Sequence, residues 1–355
     1  MKDILLEHYR RYPRMDIRDM VKLIYQSEFA GGHLIENEED SLRRLKEEIE
    51  QADKSGHSAS ENTALYENIG SGLCRLNLHR LRGTGISVRT VNRFFVNTAN
   101  SVSGSIARFE DKLRVLRQCC EDRELPYPVD ELDKFINEYR KSGYPAIGHS
   151  DDYRTEYSPS YRIVNEEYCK FFSAFSAIDS LMRTRGSVNV AIDGGSGSGK
   201  STFASLLSGV YDCNVFHTDH FFLTPALRTA ERLNETGGNF DYERFKDEVI
   251  DGIMSGRPFS YRVYNCSKQT FDRVIDVTPK KLNIIEGCYS MHPTFVNSYD
   301  LKIFLHTSSH EQNRRILERS GKALYKRFVS EWIPMENRYF SEMKIRELCD
   351  LVFET

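Results

Sequence analysis

The stretch Gly194-Gly195-Ser196-Gly197-Ser198-Gly199-Lys200-Ser201 decides the fold of the C-terminal half of this chain. It follows the β-branched run VNVAI at 188–192 and leads into a helical pattern that starts near Lys200. The pattern GxxxxGK[ST] between a strand and a helix is typical of a phosphate-binding loop. A dinucleotide fingerprint is excluded, because the sixth position of a GxGxxG counted from Gly195 falls on Lys200. A glycine-rich turn that binds nothing is the alternative.

The residue types of this loop suit the binding of a nucleoside triphosphate. Glycines let backbone N–H groups curl around phosphates without Cβ clashes, and the helix N-terminus adds positive potential. We expect Lys200 to reach the β- and γ-phosphates and the Ser201 hydroxyl to ligate Mg²⁺, with Thr202 as a further oxygen. The sequence therefore predicts ATP and Mg²⁺ as cofactors of residues 194–202; residues 194–201 are called the phosphate loop below.

Composition sets wide bounds on the class of protein. The 355 residues are enough for two domains, and 39% hydrophobic and 28% charged residues with a net charge of −3 are typical of a globular protein rather than a wholly basic nucleic-acid binder. We see no run of 18 apolar residues, and the first 16 residues are too charged for a secretory signal. Eight cysteines without a CxxC pair indicate free thiols, which predicts a cytoplasmic protein.

The two halves of the chain differ in pattern. After 187, short β-branched runs (VNVAID, NVFHTD, LNIIEG and LKIFLH) alternate with helical patterns, which predicts an α/β domain with a parallel sheet over 187–355. Residues 1–183 favour a mainly helical domain, with Asp16 capping the first predicted helix and further helices over 41–52, 88–99, 105–121, 129–141 and about 164–182. The polar run 183–187 is the candidate linker.

Asp219 is the candidate catalytic base. It ends the second β-branched run, and the carboxyl ends of parallel strands line the ligand crevice. A carboxylate there can accept the proton of a substrate hydroxyl, although an aspartate that only caps a loop is the alternative. His217 and His220 are also candidate metal ligands, but the sequence has no third ligand at a matching spacing.

Three further groups of polar residues are candidates for the same site. Glu286 follows an apolar strand, in the position where an acid holds Mg²⁺, and its alternative role is a helix cap. Asp241 precedes a helix, so it either caps that helix or contacts the vicinal hydroxyls of a sugar. Arg315 and Arg319 share one helical face and would act catalytically on the phosphates together with Lys200; solvated surface charge is the other interpretation.

At this point the C-terminal 170 or so residues resemble the uridine kinase and phosphoribulokinase group of P-loop kinases. The matching stretches are GGSGSGKST, HTDHFF, GNFDYERF, the segment 261–264, IIEGCYS and RRILER. The segment WIPMENRYF also resembles a bacterial subgroup labelled only uridine kinase-like. The resemblance implies transfer of the ATP γ-phosphate to a sugar hydroxyl, usually the 5′-hydroxyl of a nucleoside.

The resemblance also implies roles for single residues: Asp219 acts as base, Asp241 binds the ribose diol, Glu286 serves Mg²⁺, and Phe222 and Tyr264 lie at the acceptor. Uridine kinases, however, place Tyr where Phe222 stands and commonly have Tyr-Asp where this chain has Tyr264 followed by Asn. Their lid is also richer in arginine. The donor side is therefore better specified than the nucleobase preference.

The N-terminal half resembles no family of known activity. Residues 149–162 are dense in tyrosine, arginine and other hydrogen-bonding groups, and Gly31, Gly32, His33 and Arg75 add further ones. These groups could form an anion or nucleotide pocket, the polar seam between domains, or a solvated surface. His33 and His149 are each more often structural than catalytic.

Three functions compete. The first is an ATP-dependent kinase acting on a nucleoside or related small molecule that contains a sugar. The second couples such a kinase to an N-terminal module that recognises RNA or a protein, which tyrosine and arginine in 149–162 favour and the net charge of −3 disfavours. The third, a nucleotide switch without a small substrate, leaves Asp219 unexplained. No membrane partner is expected, and the oligomeric state stays open.

Overall fold

The N-terminal unit places helices around a small antiparallel sheet. The computed structural model describes residues 1–32, 34–54 and 64–355, so His33 lies outside the described residues. The first compact unit spans Met1–Phe172. Its helices are α1 (Lys2–Arg11), α2 (Ile17–Phe29), α3 (Glu38–Lys54), α4 (Val88–Ser101), α5 (Ile106–Glu121), α6 (Val129–Lys141), α7 (Asp151–Tyr157) and α8 (Glu166–Lys170). Its strands are β1 (Tyr66–Gly70), β2 (Leu73–Asn77) and β3 (Tyr161–Asn165).

Helix α2 is the central helix of this unit, and it begins as the sequence predicts. The Asp16 side chain accepts the backbone N–H of Asp19 at 3.0 Å, and Asp19 Oδ2 accepts the N–H of Asp16 at 3.2 Å. This reciprocal pair satisfies two N–H groups that the helix leaves free. The helix then buries Met20, Val21 and Ile24 in the core of the unit.

The small sheet was not predicted from the sequence. Strands β1, β2 and β3 pair antiparallel in that order. The turn between β1 and β2 is made by Gly70, Ser71 and Gly72, all with positive φ. Five-residue strands with polar residues carry too weak an alternation to stand out in a sequence. The predicted helix over 164–182 was also wrong at its start, since β3 continues to Asn165 and the helical part is broken at Phe171.

The second compact unit, Ser173–Thr355, begins earlier than the predicted linker. Most of helix α9 (Phe172–Thr184) belongs to it. The Tyr211 hydroxyl donates to the Phe175 carbonyl at 3.2 Å and to Asp179 at 3.1 Å. These bonds fasten α9 within the second unit, so the predicted linker at 183–187 lies between α9 and the next strand rather than between the two compact units.

The second unit has an α/β architecture. Its strands are β4 (Val188–Gly194), β5 (Cys213–His217), β6 (Phe259–Asn265), β7 (Thr270–Val277), β8 (Leu282–Glu286), β9 (Leu301–His306) and β10 (Leu351–Glu354). Its further helices are α10 (Lys200–Ser208), α11 (Ala230–Asn234), α12 (Tyr242–Phe245), α13 (Asp251–Ser255), α14 (Ser309–Arg327) and α15 (Ile333–Glu342). No helix of the described residues is long and apolar enough to cross a membrane.

The sheet of this unit confirms the predicted parallel arrangement. Five strands lie in the order β10-β9-β4-β8-β5, and each adjacent pair is parallel. The register sets Ile192 beside Glu286 and Glu286 beside His217. The carboxyl ends of β4, β8 and β5 therefore meet at one edge, where ligands bind in open parallel sheets. The sequence did not reveal the antiparallel hairpin β6–β7 or the four-residue edge strand β10.

Phe245 anchors an aromatic cluster that supports the acceptor side of this edge. Its ring is fully buried and lies 4.9 Å from Phe221, 5.5 Å from Phe240 and 5.1 Å from Phe295, centroid to centroid. We expect Phe245→Ala to lower the free energy of unfolding by about 3–5 kcal/mol through the lost contacts and the cavity. Urea denaturation measures this loss. The control Leu324→Ala, at a residue 44% exposed, should change stability little, and equal losses in the two variants would contradict the packing role of Phe245.

Candidate active site

The phosphate loop makes a tight turn that needs its glycines. Gly194 has φ 147°, and a Cβ there would lie 2.2 Å from the carbonyl oxygen of Leu305. Gly199 has φ 84° at the start of α10. The Lys200 ammonium turns back onto the loop and donates to the carbonyls of Gly194 at 2.8 Å and Gly195 at 3.0 Å. The lysine is thus held at the mouth of a loop with the geometry that cradles phosphates.

Asp193 fixes the start of this loop. Its carboxylate is completely buried and accepts hydrogen bonds from the backbone N–H groups of Gly194 at 2.7 Å and Met291 at 3.1 Å, and from the Tyr339 hydroxyl at 2.9 Å. Burial raises the pKa of Asp193 to about 6, against the opposing effect of these donors and of the Lys200 charge. Asp193 was not predicted from the sequence, although an acid at a strand end directly before the loop was the available signal.

The rest of the loop is supported by α14 and α15. Glu336 accepts the backbone N–H of Ser196 at 2.9 Å and its hydroxyl at 2.5 Å. Gln312 donates to the Ser196 carbonyl at 2.8 Å, and Arg315 donates to the Gly197 carbonyl at 3.2 Å. Burial raises the pKa of Glu336, which the charge of Lys200 and the Ser196 donors oppose. Glu336 was not predicted, because its partner lies 140 positions away in the sequence.

Glu286 and Ser201 come together as predicted residues of a metal site. The Ser201 hydroxyl donates to Glu286 Oε1 at 3.0 Å, and His217 Nδ1 lies 2.5 Å from the same oxygen. Although burial raises the pKa of Glu286, the His217 hydrogen bond and the charges of His217 and Lys200 leave it below its ordinary value. The hydrogen bond to Glu286 in turn raises the pKa of His217. A hydroxyl and an ionised carboxylate beside a phosphate loop are oxygen donors of the kind that Mg²⁺ prefers.

Asp219 lies in the one-turn helix Thr218–Phe221 directly after β5. Its side chain is exposed and forms no hydrogen bond or ion pair within the described parts of the chain. Desolvation by the neighbouring residues raises the pKa of Asp219; the charge of Lys200 opposes the rise and the charge of Glu286 supports it. The charges of the loop lysine and of Glu286 thus act on a carboxylate whose oxygens are exposed.

The three residues predicted to bind the acceptor lie in different environments. Asp241 caps α12 by accepting the N–H of Arg244 at 3.2 Å and also pairs with the Arg244 Nε at 3.0 Å. These bonds give Asp241 a structural role that needs no sugar. Phe222 is half-buried and forms an isolated antiparallel bridge with Phe240. Tyr264 is buried, and its hydroxyl has no hydrogen-bond partner among the described residues.

The predicted arginines separate into different environments. Arg315 is held by Glu311 at 2.7 Å and by the phosphate loop. Arg319 is exposed, and its charge lowers the pKa of Asp219. Arg314 pairs on the surface with Glu311 and Glu318. Non-helical backbone at Gly321, with φ 71°, interrupts α14 just after Arg319.

A pocket of about 240 Å³ opens beside the phosphate loop. Gly195 and Ser198 form its loop side, and residues after β9, including Thr307, form another wall. Gln312 of α14 and Phe340 of α15 complete it. The pocket thus adjoins the loop on the side away from the β5 end, where Asp219 lies.

The fold and the loop define the class: the C-terminal unit is a P-loop kinase. No family model matches the chain. The uridine kinase of Ureaplasma parvum serovar 3 is 27% identical over 180 residues, which cover 46% of this chain and 86% of that protein. The uridine kinase of Ureaplasma urealyticum serovar 10 is 25% identical over the same length. About half of the chain is therefore similar to uridine kinases, as its motifs indicate.

A solved structure is similar as well. The structure of a possible uridine kinase from Bacillus stearothermophilus has a TM-score of 0.38 at 19% identity and covers 50% of this chain and 97% of that one.

The buried Asp193 gives stability a testable pH dependence. The pKa of Asp193 in the folded protein, about 6, lies above its ordinary value of 3.8. The protonated carboxyl therefore stabilises the folded state below the ordinary value of 3.8, and this stabilisation is lost as the pH rises through the folded pKa. Asp193→Asn lacks this titration. We expect the free energy of unfolding of the variant, relative to that of the wild type, to increase by about 2–2.5 kcal/mol between pH 4 and pH 7.

Urea denaturation across this pH range measures the difference. Asp212→Asn is the matched control, since the side chain of Asp212 is 86% exposed and pairs with Lys280 on the surface. Parallel pH profiles for Asp193→Asn and wild type would contradict the assigned pKa.

Proposed function

We propose that the C-terminal unit transfers the γ-phosphoryl group of ATP to a hydroxyl of a nucleoside or a related small molecule that contains a sugar. The observation that carries the proposal is the exposed carboxylate of Asp219, which comes just after β5 and has no hydrogen-bond or ion-pair partner among the described residues. A nucleotide switch needs no base at this position, whereas a kinase needs one near the acceptor hydroxyl. The uridine kinase relatives support the same class of acceptor.

The donor side is built from the phosphate loop. Lys200 would exchange its two carbonyl partners for the β- and γ-phosphates. The remaining phosphate oxygens would accept hydrogen bonds from the backbone N–H groups of the loop, of Thr202 and of the start of α10. Ser201 and Glu286 would hold Mg²⁺. When bound, this ion neutralises charge on the phosphates. The pocket of about 240 Å³ beside the loop is the place for the nucleoside of ATP.

The acceptor side is assembled around Asp219. Its ionised carboxylate would accept the proton of the attacking hydroxyl, and Arg319 would offset negative charge that develops on the transferred group. The unpartnered hydroxyl of Tyr264 supports a contact with the acceptor. Asp241 would reach a sugar diol only while it also holds Arg244, and Phe222 would supply an apolar contact.

Asp219→Asn tests the assigned base. The amide keeps the size of the side chain but cannot take the proton, so we expect kcat to fall roughly 10²–10⁴-fold with the best acceptor of a nucleoside and sugar panel. ATP binding should survive, because the phosphate loop is unchanged. Asp212→Asn, at the opposite end of β5, is the control and should keep wild-type kcat. Uniform inactivity of the wild type across the panel with intact ATP binding would count against the function.

The charge of Arg319 should appear in the pH profile of the reaction. Asp219 would act as a base in its ionised form, and its pKa is raised. As the pH is lowered, kcat/KM should therefore begin to fall at a higher pH than it would with an ordinary aspartate as the base. Arg319 lowers that pKa, so Arg319→Gln should move the acid limb of kcat/KM further upward. The control Arg314→Gln should leave the limb in place. A downward shift in Arg319→Gln would exclude Asp219 as the group observed.

Nothing in the described residues singles out an RNA or protein partner, so the alternative of a macromolecular recognition module stays a prediction. The same holds for the cytoplasmic location.

A further inference from the structure

The N-terminal unit contains a pocket of its own, with a volume of about 710 Å³. The pocket runs along the edge strand β3, between α2, α3 and the segment before β3. Pockets of this size accommodate ligands as large as a nucleotide. The charged and aromatic residues that line it are Lys22, Glu48, His79, Phe95, His149, Tyr161 and Arg162.

A chain of hydrogen bonds forms the inner wall of this pocket. Tyr161 is its middle member: its hydroxyl lies 2.6 Å from His149 Nε2 and 3.2 Å from Gln26 Nε2. His149 Nδ1 lies 2.7 Å from Asp19 Oδ1. Burial lowers the pKa of His149 to about 4. The ring is therefore neutral near pH 7, donates from Nδ1 to Asp19, and accepts from the Tyr161 hydroxyl.

Arg75 lies at the other end of this series of hydrogen bonds. Its Nε and Nη2 donate to Gln26 Oε1 at 3.1 and 2.7 Å, and the guanidinium lies 4.7 Å from the centroid of the Tyr161 ring. The residue is only 1% exposed, and its Nη1 has no hydrogen-bond partner among the described residues. Burying a guanidinium is costly unless it is paired. Its cross-strand neighbour Glu67 is already engaged by Tyr12 and Arg11.

Lys22 adds a second positive charge at the surface of the pocket. Its ammonium donates to the Ile147 carbonyl at 2.9 Å and forms no ion pair within the described ranges. Burial, followed by the charges of Arg75 and Arg154, lowers the pKa of Lys22 to about 8. The acidic lining residue, Glu48, is paired with Arg162 at 2.5 Å. Lys22 therefore has no carboxylate partner in the lining, although the charge of Asp19 behind the wall opposes the lowering of its pKa.

We infer that this pocket is a second binding site, for a small molecule that carries an oxyanion such as a phosphate or carboxylate group. Lys22 contacts the anion directly, and Arg75 supplies charge from behind the Tyr161 and Gln26 wall. Tyr161 and His149 orient hydrogen-bonding groups at the same wall. The site is independent of the kinase reaction proposed for the C-terminal unit, and a structural polar network that binds nothing is the competing explanation.

The test must exclude anions that bind to the phosphate loop. Full-length Lys200→Met protein removes the loop ammonium and serves as the background. Thermal unfolding midpoints and calorimetric titrations are measured with inorganic phosphate, AMP and citrate, at an ionic strength held constant with sodium chloride. Lys22→Met is then added to the background, and Lys134→Met, at an exposed lysine of α6, is the matched control.

We expect at least one of the three anions to raise the unfolding midpoint of the Lys200→Met protein, since a ligand of the folded state stabilises it. Lys22→Met should weaken that binding roughly tenfold or more, as the loss of a charge-assisted hydrogen bond does. Lys134→Met should not.

A response to phosphate and AMP alone assigns a phosphorylated ligand, and a response to citrate alone assigns a carboxylate. The absence of any response in the background, or equal binding with and without Lys22, would overturn the inference. Titration at a temperature where all variants are folded keeps the result independent of any loss of stability in Lys22→Met.

Discussion

The buried carboxylate of Asp193 is the interaction on which the kinase unit depends. It holds the first N–H of the phosphate loop, the N–H of Met291 in the segment after β8, and the Tyr339 hydroxyl on α15. These three segments carry the loop itself, the continuation of the strand that ends at Glu286, and the helix that places Glu336 against Ser196. One acceptor thus aligns the phosphate loop, the strand that carries Glu286 and the helix that supports the loop.

The two carboxylates at this end of the sheet differ in their hydrogen bonding. Glu286 accepts a hydrogen bond from Ser201 and lies within hydrogen-bond distance of His217, and its pKa lies below its ordinary value. Asp219 lies near the same groups without a partner of its own in the described structure, and desolvation makes it more basic than an ordinary aspartate. Two carboxylates in neighbouring positions are therefore suited to different roles, one to hold a metal ion and one to take a proton.

Local patterns in the sequence indicate which side chains lie at strand ends. The phosphate loop and Asp219 come at or just after the ends of β4 and β5, Glu286 is the last residue of β8, and parallel pairing brings these strand ends together. Contacts between distant residues could not be read in this way: Asp193 and Tyr339 are 146 positions apart. The pairing of β2 with β3 is a further distant contact, since Leu73 lies opposite Asn165. Asp241 shows the limit of a motif, because its neighbour Arg244 engages both carboxylate oxygens.

A crystal structure with a non-hydrolysable ATP analogue and Mg²⁺ tests the central claim most directly, because it shows where the γ-phosphate lies. The account predicts that the Lys200 ammonium leaves the carbonyls of Gly194 and Gly195 for the β- and γ-phosphates. It also predicts that the γ-phosphate faces Asp219, with the ion between Ser201 and the phosphates. A triphosphate bound away from the loop, or a γ-phosphate directed away from Asp219, would contradict the assignment of this unit as a kinase with Asp219 as its base.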